Sequence, residues 1–101
     1  MSEVLKALSD PTRRQILIML RKRSMSAGDI AARFELTKPT LSKHFSVLKD
    51  ADLIYGERDG TTINYHLNVT VLEEAMLGLI QVLNLDLERL PSWKPKRKNS
   101  T

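Results

Sequence analysis

Cysteine is absent from the 101 residues, which excludes disulfides, thiolate zinc sites, a cysteine nucleophile and a thiol redox switch. Aromatic residues make up 5% of the chain, too few for a platform on which single-stranded nucleic acid could stack. No apolar run approaches the roughly 20 residues of a membrane-spanning helix, and the N-terminus lacks a signal-peptide pattern. The expectation is a cytoplasmic protein with no membrane insertion. The four glycines, Gly28, Gly56, Gly60 and Gly78, are isolated, so there is no glycine-rich phosphate loop. The two histidines are His44 and His66. Ser42 lies two residues before His44, and on a helix these side chains diverge, so they make no nucleophile–base pair. Asp52, Glu57 and Asp59 surround a hairpin without pairing their carboxylates. These absences predict a protein that is not an enzyme and needs no cofactor.

What is present fits one small domain. Hydrophobic residues make up 42%, enough for a core if every element contributes an apolar face. The formal charge of +4 resides in residues 91–101, where Lys94, Lys96, Arg97 and Lys98 stand without an acid. That segment also holds Pro91, Trp93 and Pro95 and has no folding pattern, so it is expected to be a disordered basic tail beyond a domain of residues 1–90.

Val4, Leu5 and Leu8 space an apolar stripe at helical period. Ser9-Asp10-Pro11 ends that helix and starts a second, with Asp10 as cap and Pro11 where a missing N–H costs nothing. Ile16, Leu17, Met19 and Leu20 face inward along it, and Arg21-Lys22-Arg23 sit at its negative end. Ser26-Ala27-Gly28-Asp29 reads as a capping box for a third helix burying Ile30, Ala31 and Phe34. After a turn at Glu35-Leu36-Thr37, a fourth helix opens with Thr37 or Lys38 as cap and runs to about Asp52. Two short helices around a three-residue turn are a helix-turn-helix. Leu53-Ile54-Tyr55 and Ile63–Leu67 then alternate as strands around Asp59-Gly60, a strong hairpin signal. Thr70 is the expected cap of a long last helix whose apolar positions recur to Leu87, with Pro91 ending it. The predicted fold class is mainly α with a two-stranded β-wing, in the order α-α-α-α-β-β-α: a winged helix-turn-helix, homodimeric.

With Leu41, Phe45 and Leu48 buried, the fourth helix presents Lys38, Pro39, Ser42, Lys43 and Ser46, flanked by Thr40, His44 and Lys49. No acid occurs from Leu36 to Lys49. Cations for phosphates and short hydroxyls for base edges suit a helix lying in the major groove of double-stranded DNA. The bland alternative is a solvated helix face; the preceding turn and following hairpin favour DNA. Arg58, Thr61 and Thr62 flank the hairpin tip and are placed to reach the minor groove or its phosphates. The last helix carries more apolar surface than one protomer needs. Val4, Leu5, Leu8, Leu72, Met76, Leu79 and Leu83 are therefore expected in a homodimer interface, extended by Leu85, Leu87 and Leu90. The alternative is a core helix.

Leu8-Ser9-Asp10-Pro11-Thr12-Arg13-Arg14-Gln15-Ile16-Leu17 resembles the ALADPTRRxIL opening of ArsR/SmtB winged-helix repressors. Thr40–Leu48 is similar to their STVSxHLxxL recognition helix. Ala51-Asp52-Leu53-Ile54, Arg58-Asp59-Gly60 and Tyr65-His66-Leu67 match their AGLVxxxRxGRxxxYxL wing. In this order the motifs span about residues 5–90, and the Lys38-Pro39-Thr40 opening and short C-terminal helix resemble most the metal-independent, SdpR-type autorepressor branch. The resemblance implies a homodimeric repressor on an inverted-repeat operator, with Lys38, Thr40, Ser42, Lys43, His44 and Arg58 touching DNA.

Departures from the family pattern bear on the switch. The metal-binding cysteines of arsenic- and cadmium-sensing members correspond to Ser26 and Gly28, which cannot hold a soft metal. The last helix has Glu73, Glu74, Asp86 and Glu88 but no histidine, so no metal site is expected. A constitutive autorepressor, a protein anti-repressor and a small ligand at the dimer interface all remain open as explanations of release. Two other functional classes stand beside the DNA-binding repressor: a winged-helix protein-interaction module, and a ligand-responsive sensor repressor.

Overall fold

The computed structural model describes residues 2–85. The expectations for the tail at 91–101, for Leu87 and Leu90 and for an end at Pro91 lie outside these residues. The elements are α1 (Ser2–Leu8), α2 (Pro11–Lys22), β1 (Met25–Ser26), α3 (Ala27–Ala31), α4 (Lys38–Asp50), β2 (Ile54–Asp59), β3 (Thr62–Leu67) and α5 (Val69–Val82). The three strands form one antiparallel sheet in the order β1-β3-β2.

The helix starts follow local chemistry. Asp10 accepts from the Arg13 N–H at 3.1 Å, Ser26 from the Asp29 N–H at 3.1 Å and Thr37 from the Thr40 N–H at 3.3 Å. Each cap satisfies a donor the helix cannot. α5 departs from expectation: Asn68, not Thr70, is the cap, accepting from the Val71 N–H at 3.4 Å.

α4 and α5 end in the same way. Asp52 and Asn84 take φ values of 57° and 56°. The Leu53 N–H returns to the Leu48 carbonyl and the Leu85 N–H to the Ile80 carbonyl, both at 3.0 Å. These are Schellman closures, which need a left-handed residue just past the helix. The α5 closure ends that helix at Val82.

The core joins α1 through Val4 and Ala7, α2 through Ile16, Leu17 and Leu20, and α4 through Leu41, Phe45 and Leu48. Met25, Ile30, Ala51, Leu53, Ile54 and Tyr65 complete it. Leu48 and Leu53, which flank the α4 closure, are both fully buried, so the chain reversal into the wing is fixed by packing as well as hydrogen bonds. No residue of α5 is fully buried.

Two connections differ from expectation. Segment 32–37, rather than a three-residue turn, separates α3 from α4. β1 carries no periodicity signal because it is two residues long, yet it pairs Met25 with Tyr65 and Ser26 with Asn64. The start of α3 is thereby tied to the wing. Among the described residues no helix is long and apolar enough to cross a membrane.

Candidate nucleic-acid interface

The outer face of α4 assembles as its helical spacing predicts. Lys38, Pro39, Thr40, Ser42, Lys43 and Ser46 are exposed, opposite buried Leu41, Phe45 and Leu48. The first turn has no acidic side chain, so the helix N-terminus keeps its partial positive charge for a phosphate. The Thr37 hydroxyl donates to the Thr40 hydroxyl at 2.9 Å, leaving the Thr40 proton free to point outward. The pocket behind this face, between α3 and α4, is lined by Ala27, Gly28, Ala31, Lys38, Leu41, Ser42 and Phe45.

His44 does not join that face. Its side chain is 14% exposed and turns to the α1–α2 junction, where its Nδ1 accepts from Arg13 Nη1 at 3.2 Å. Asp10 Oδ2 lies 3.9 Å from the same nitrogen. His44, expected on the DNA face, links α4 to the N-terminal elements through these contacts. Arg13 also donates from Nε to the Ala7 carbonyl at 2.9 Å and from Nη2 to the Lys6 carbonyl at 2.8 Å. Arg14 reaches the Leu8 carbonyl at 2.8 Å. The two arginines thus satisfy the last carbonyls of α1, a role the sequence reading missed. The Arg13 backbone N–H, foremost, holds the Asp10 carboxyl below its ordinary value; burial opposes it as the next largest influence, and the nearby His44 and Arg13 side chains lower it further.

Lys49 stays exposed, but its ammonium lies 5.5 Å from the centre of the Tyr65 ring. Tyr65 in turn packs on Phe45 with ring centres 4.9 Å apart. These contacts set the angle between α4 and the wing. Gly56 faces Tyr65 across the strand pair, and a Cβ there would come within 2.8 Å of Ile63 Cγ2. On the opposite side of the wing, Tyr55 stacks on His66 at 5.0 Å, and His66 Nε2 meets Glu57 Oε1 at 3.2 Å.

The wing tip is displaced by one residue from expectation. Asp59 pairs with Thr62, so Gly60 and Thr61 form the turn. Gly60 has φ 65°, while Thr61 is not among the positive-φ residues, which fits a hairpin turn with glycine at its first central position. Arg58 and Thr61 are both exposed beside it.

The expected dimer residues separate. Val4 is spent in the protomer core, at 7% exposure. Leu8, Leu72 and Leu79 are half-buried, whereas Leu5, Met76, Leu83 and Leu85 are exposed. Among the described residues no three His, Asp or Glu side chains converge as a metal site would require.

A helix-turn-helix whose second helix offers cations and hydroxyls, followed by a basic-flanked hairpin, defines a winged-helix DNA-binding protein. Comparison with known proteins agrees. The profile of bacterial regulatory proteins of the arsR family matches residues 10–55. The transcriptional repressor SdpR of Bacillus subtilis is 45% identical over 84 residues, covering 83% of this chain and 93% of that protein. The arsenical resistance operon repressor of Staphylococcus aureus is 36% identical, over 84% of this chain and 78% of that one. An ArsR-like transcriptional regulator from Rhodococcus sp. RHA1 superposes with a TM-score of 0.75 at 28% identity, covering 82% of this chain and 76% of that one. The chain belongs to the ArsR family of bacterial regulatory proteins, and is a DNA-binding transcriptional regulator rather than an enzyme.

Proposed function

We propose that the chain is a cytoplasmic homodimeric repressor, acting on an inverted-repeat operator, its own promoter among the targets, without a metal switch. The observation that carries this reading is the acid-free outer face of α4, with Lys38 and Lys43 for phosphates and Thr40, Ser42 and Ser46 for base edges. Arg58 and Thr61 add wing contacts. Lys49 serves phosphate from its position over Tyr65. The direction of regulation follows the likeness to a transcriptional repressor. The absence of cysteine from the sequence supports independence from soft metals.

Dimerisation is supported by the apolar surface left open on α1 and α5, where Leu5 is 45%, Met76 43% and Leu83 57% exposed. A two-fold dimer would cover it and set two α4 helices about one DNA turn apart.

Fluorescence anisotropy with the duplex upstream of the gene and a scrambled duplex, across salt, with zinc and with chelator, tests this reading. Tight binding to the native duplex alone, falling about a thousandfold from 50 to 200 mM salt and indifferent to zinc, is expected for roughly 6–10 phosphate contacts. Equal, weak binding to both duplexes would point to a protein partner instead. A zinc response would overturn metal independence.

A further inference from the structure

A second cationic surface involves neither α4 nor the wing. The C-terminal half of α2 and the end of α3 enclose an open groove of about 480 Å³. Ile18, Met19 and Phe34 give it an apolar floor with Met25 beneath, while Lys22, Arg23 and Arg33 supply positive charge. Ile18 and Lys22 are four residues apart on α2, so Lys22 stands one turn beyond Ile18 on the same helix face, and Arg23 follows at the extended C-cap. No carboxylate lines the groove, and among the described residues none of these cations is held in an ion pair.

Cations at the end of α2 have an ordinary reason to be there, since they complement the helix dipole. That reason does not extend to Arg33, which follows a different helix, or to Ile18, which lies 46% exposed beside the charges. The groove also lies within the range of roughly 300–1,000 Å³ usual for small-molecule sites.

We propose that this groove binds a small amphipathic carboxylate, and that the site is an effector site. The apolar chain lies along Ile18, Met19 and Phe34. The carboxylate is held by Lys22, Arg23 and Arg33, where a guanidinium can donate two parallel hydrogen bonds to it. The walls give such a ligand access to the DNA-binding parts. Phe34 belongs to segment 32–37, which sets α4, and Met25 pairs with Tyr65 of the wing. A ligand that prefers one setting of these walls changes DNA affinity by the factor by which DNA changes its own.

Octanoate, with uncharged 1-octanol as control, is the probe. Nuclear magnetic resonance titration of the full chain should give saturable shifts that are largest at residues 15–25 and 33–34 and extend only to α4 and the wing. Octanol, and octanoate on a Lys22→Gln/Arg33→Gln variant of unchanged spectrum elsewhere, should bind about tenfold more weakly or worse. Equal binding of octanol, shifts scattered over the surface, or an unaffected variant would overturn the site. The variant without octanoate should keep operator affinity within about twofold; a loss above about tenfold would assign these cations to DNA phosphates instead. Octanoate should also change operator affinity of the parent chain by about threefold or more but not that of the variant, and an unchanged affinity would overturn the effector role. The binding arm contains no DNA, so its failure is distinct from failure of the DNA-binding reading.

Discussion

Arg13 and His44 are 31 residues apart in sequence, and the Arg13 guanidinium donates to His44 Nδ1 at 3.2 Å. One side chain thus joins the last carbonyls of α1 to the middle of the recognition helix.

Removing Arg13 should cost more than an exposed arginine normally would. Arg13→Ala leaves the Lys6 and Ala7 carbonyls and His44 without their donor, and a loss of about 1–3 kcal/mol is expected in chemical unfolding. A change under about 0.5 kcal/mol would make the contact incidental.

His44 and Lys43 should respond differently to the same test. Lys43→Ala should weaken binding to operator and random duplex alike and reduce the salt slope by about 1. His44→Ala should weaken operator binding with the slope intact, because the ring touches no phosphate. A fall in slope for His44→Ala would restore it to the DNA face.

Ser42→Ala should relax sequence preference, by about 1–3 kcal/mol if it removes one base contact. Anisotropy against operators varied one base pair at a time locates the position read. Uniform weakening on every duplex would exclude a base-reading role.

Asp52 holds φ 57° at the end of α4 and places a negative charge where the helix dipole is already negative. Asp52→Gly should stabilise the fold by about 0.5–1 kcal/mol, relieving both the left-handed strain and the charge. Asp52→Ala removes the charge but also the short polar side chain that tolerates the left-handed region, and should gain less. Gly60→Ala should act in the opposite direction, since φ 65° at the wing turn disfavours any Cβ. Thermal unfolding measures all three.

Asp10 gives a signed pH dependence. Its native value is lowered, so its contribution is present at neutral pH, above the ordinary carboxylate range. It fades as pH falls through the lowered native value. Asp10→Asn keeps a capping oxygen but does not titrate. Its stability should therefore fall less steeply than the parent's between about pH 6 and pH 2, and parallel curves would contradict this.

Much of the architecture was legible because its determinants are local. Asp10-Pro11, Ser26 and Thr37-Pro39 announce helix starts through the side chains that cap them, and the α4 face follows from helical spacing alone. Thr70 precedes an apolar run and so looks like a cap, although Asn68 two residues earlier is the stronger capping type. Asn84 interrupts a continuous apolar pattern, and asparagine is second only to glycine in ending helices left-handed. β1 was invisible because two residues carry no period. His44 lies on the boundary between the faces of α4, and what turns it inward is an arginine from another helix.

Lys49, Tyr65 and Phe45 bind the recognition helix to the wing through a cation, a ring and a second ring. The opening between α4 and the wing is consequently set by side chains packed on the protein's core. A duplex whose grooves do not match that opening has to twist or narrow to be gripped, at an energy that depends on its own base sequence. Base pairs that no side chain touches thereby enter the choice of operator.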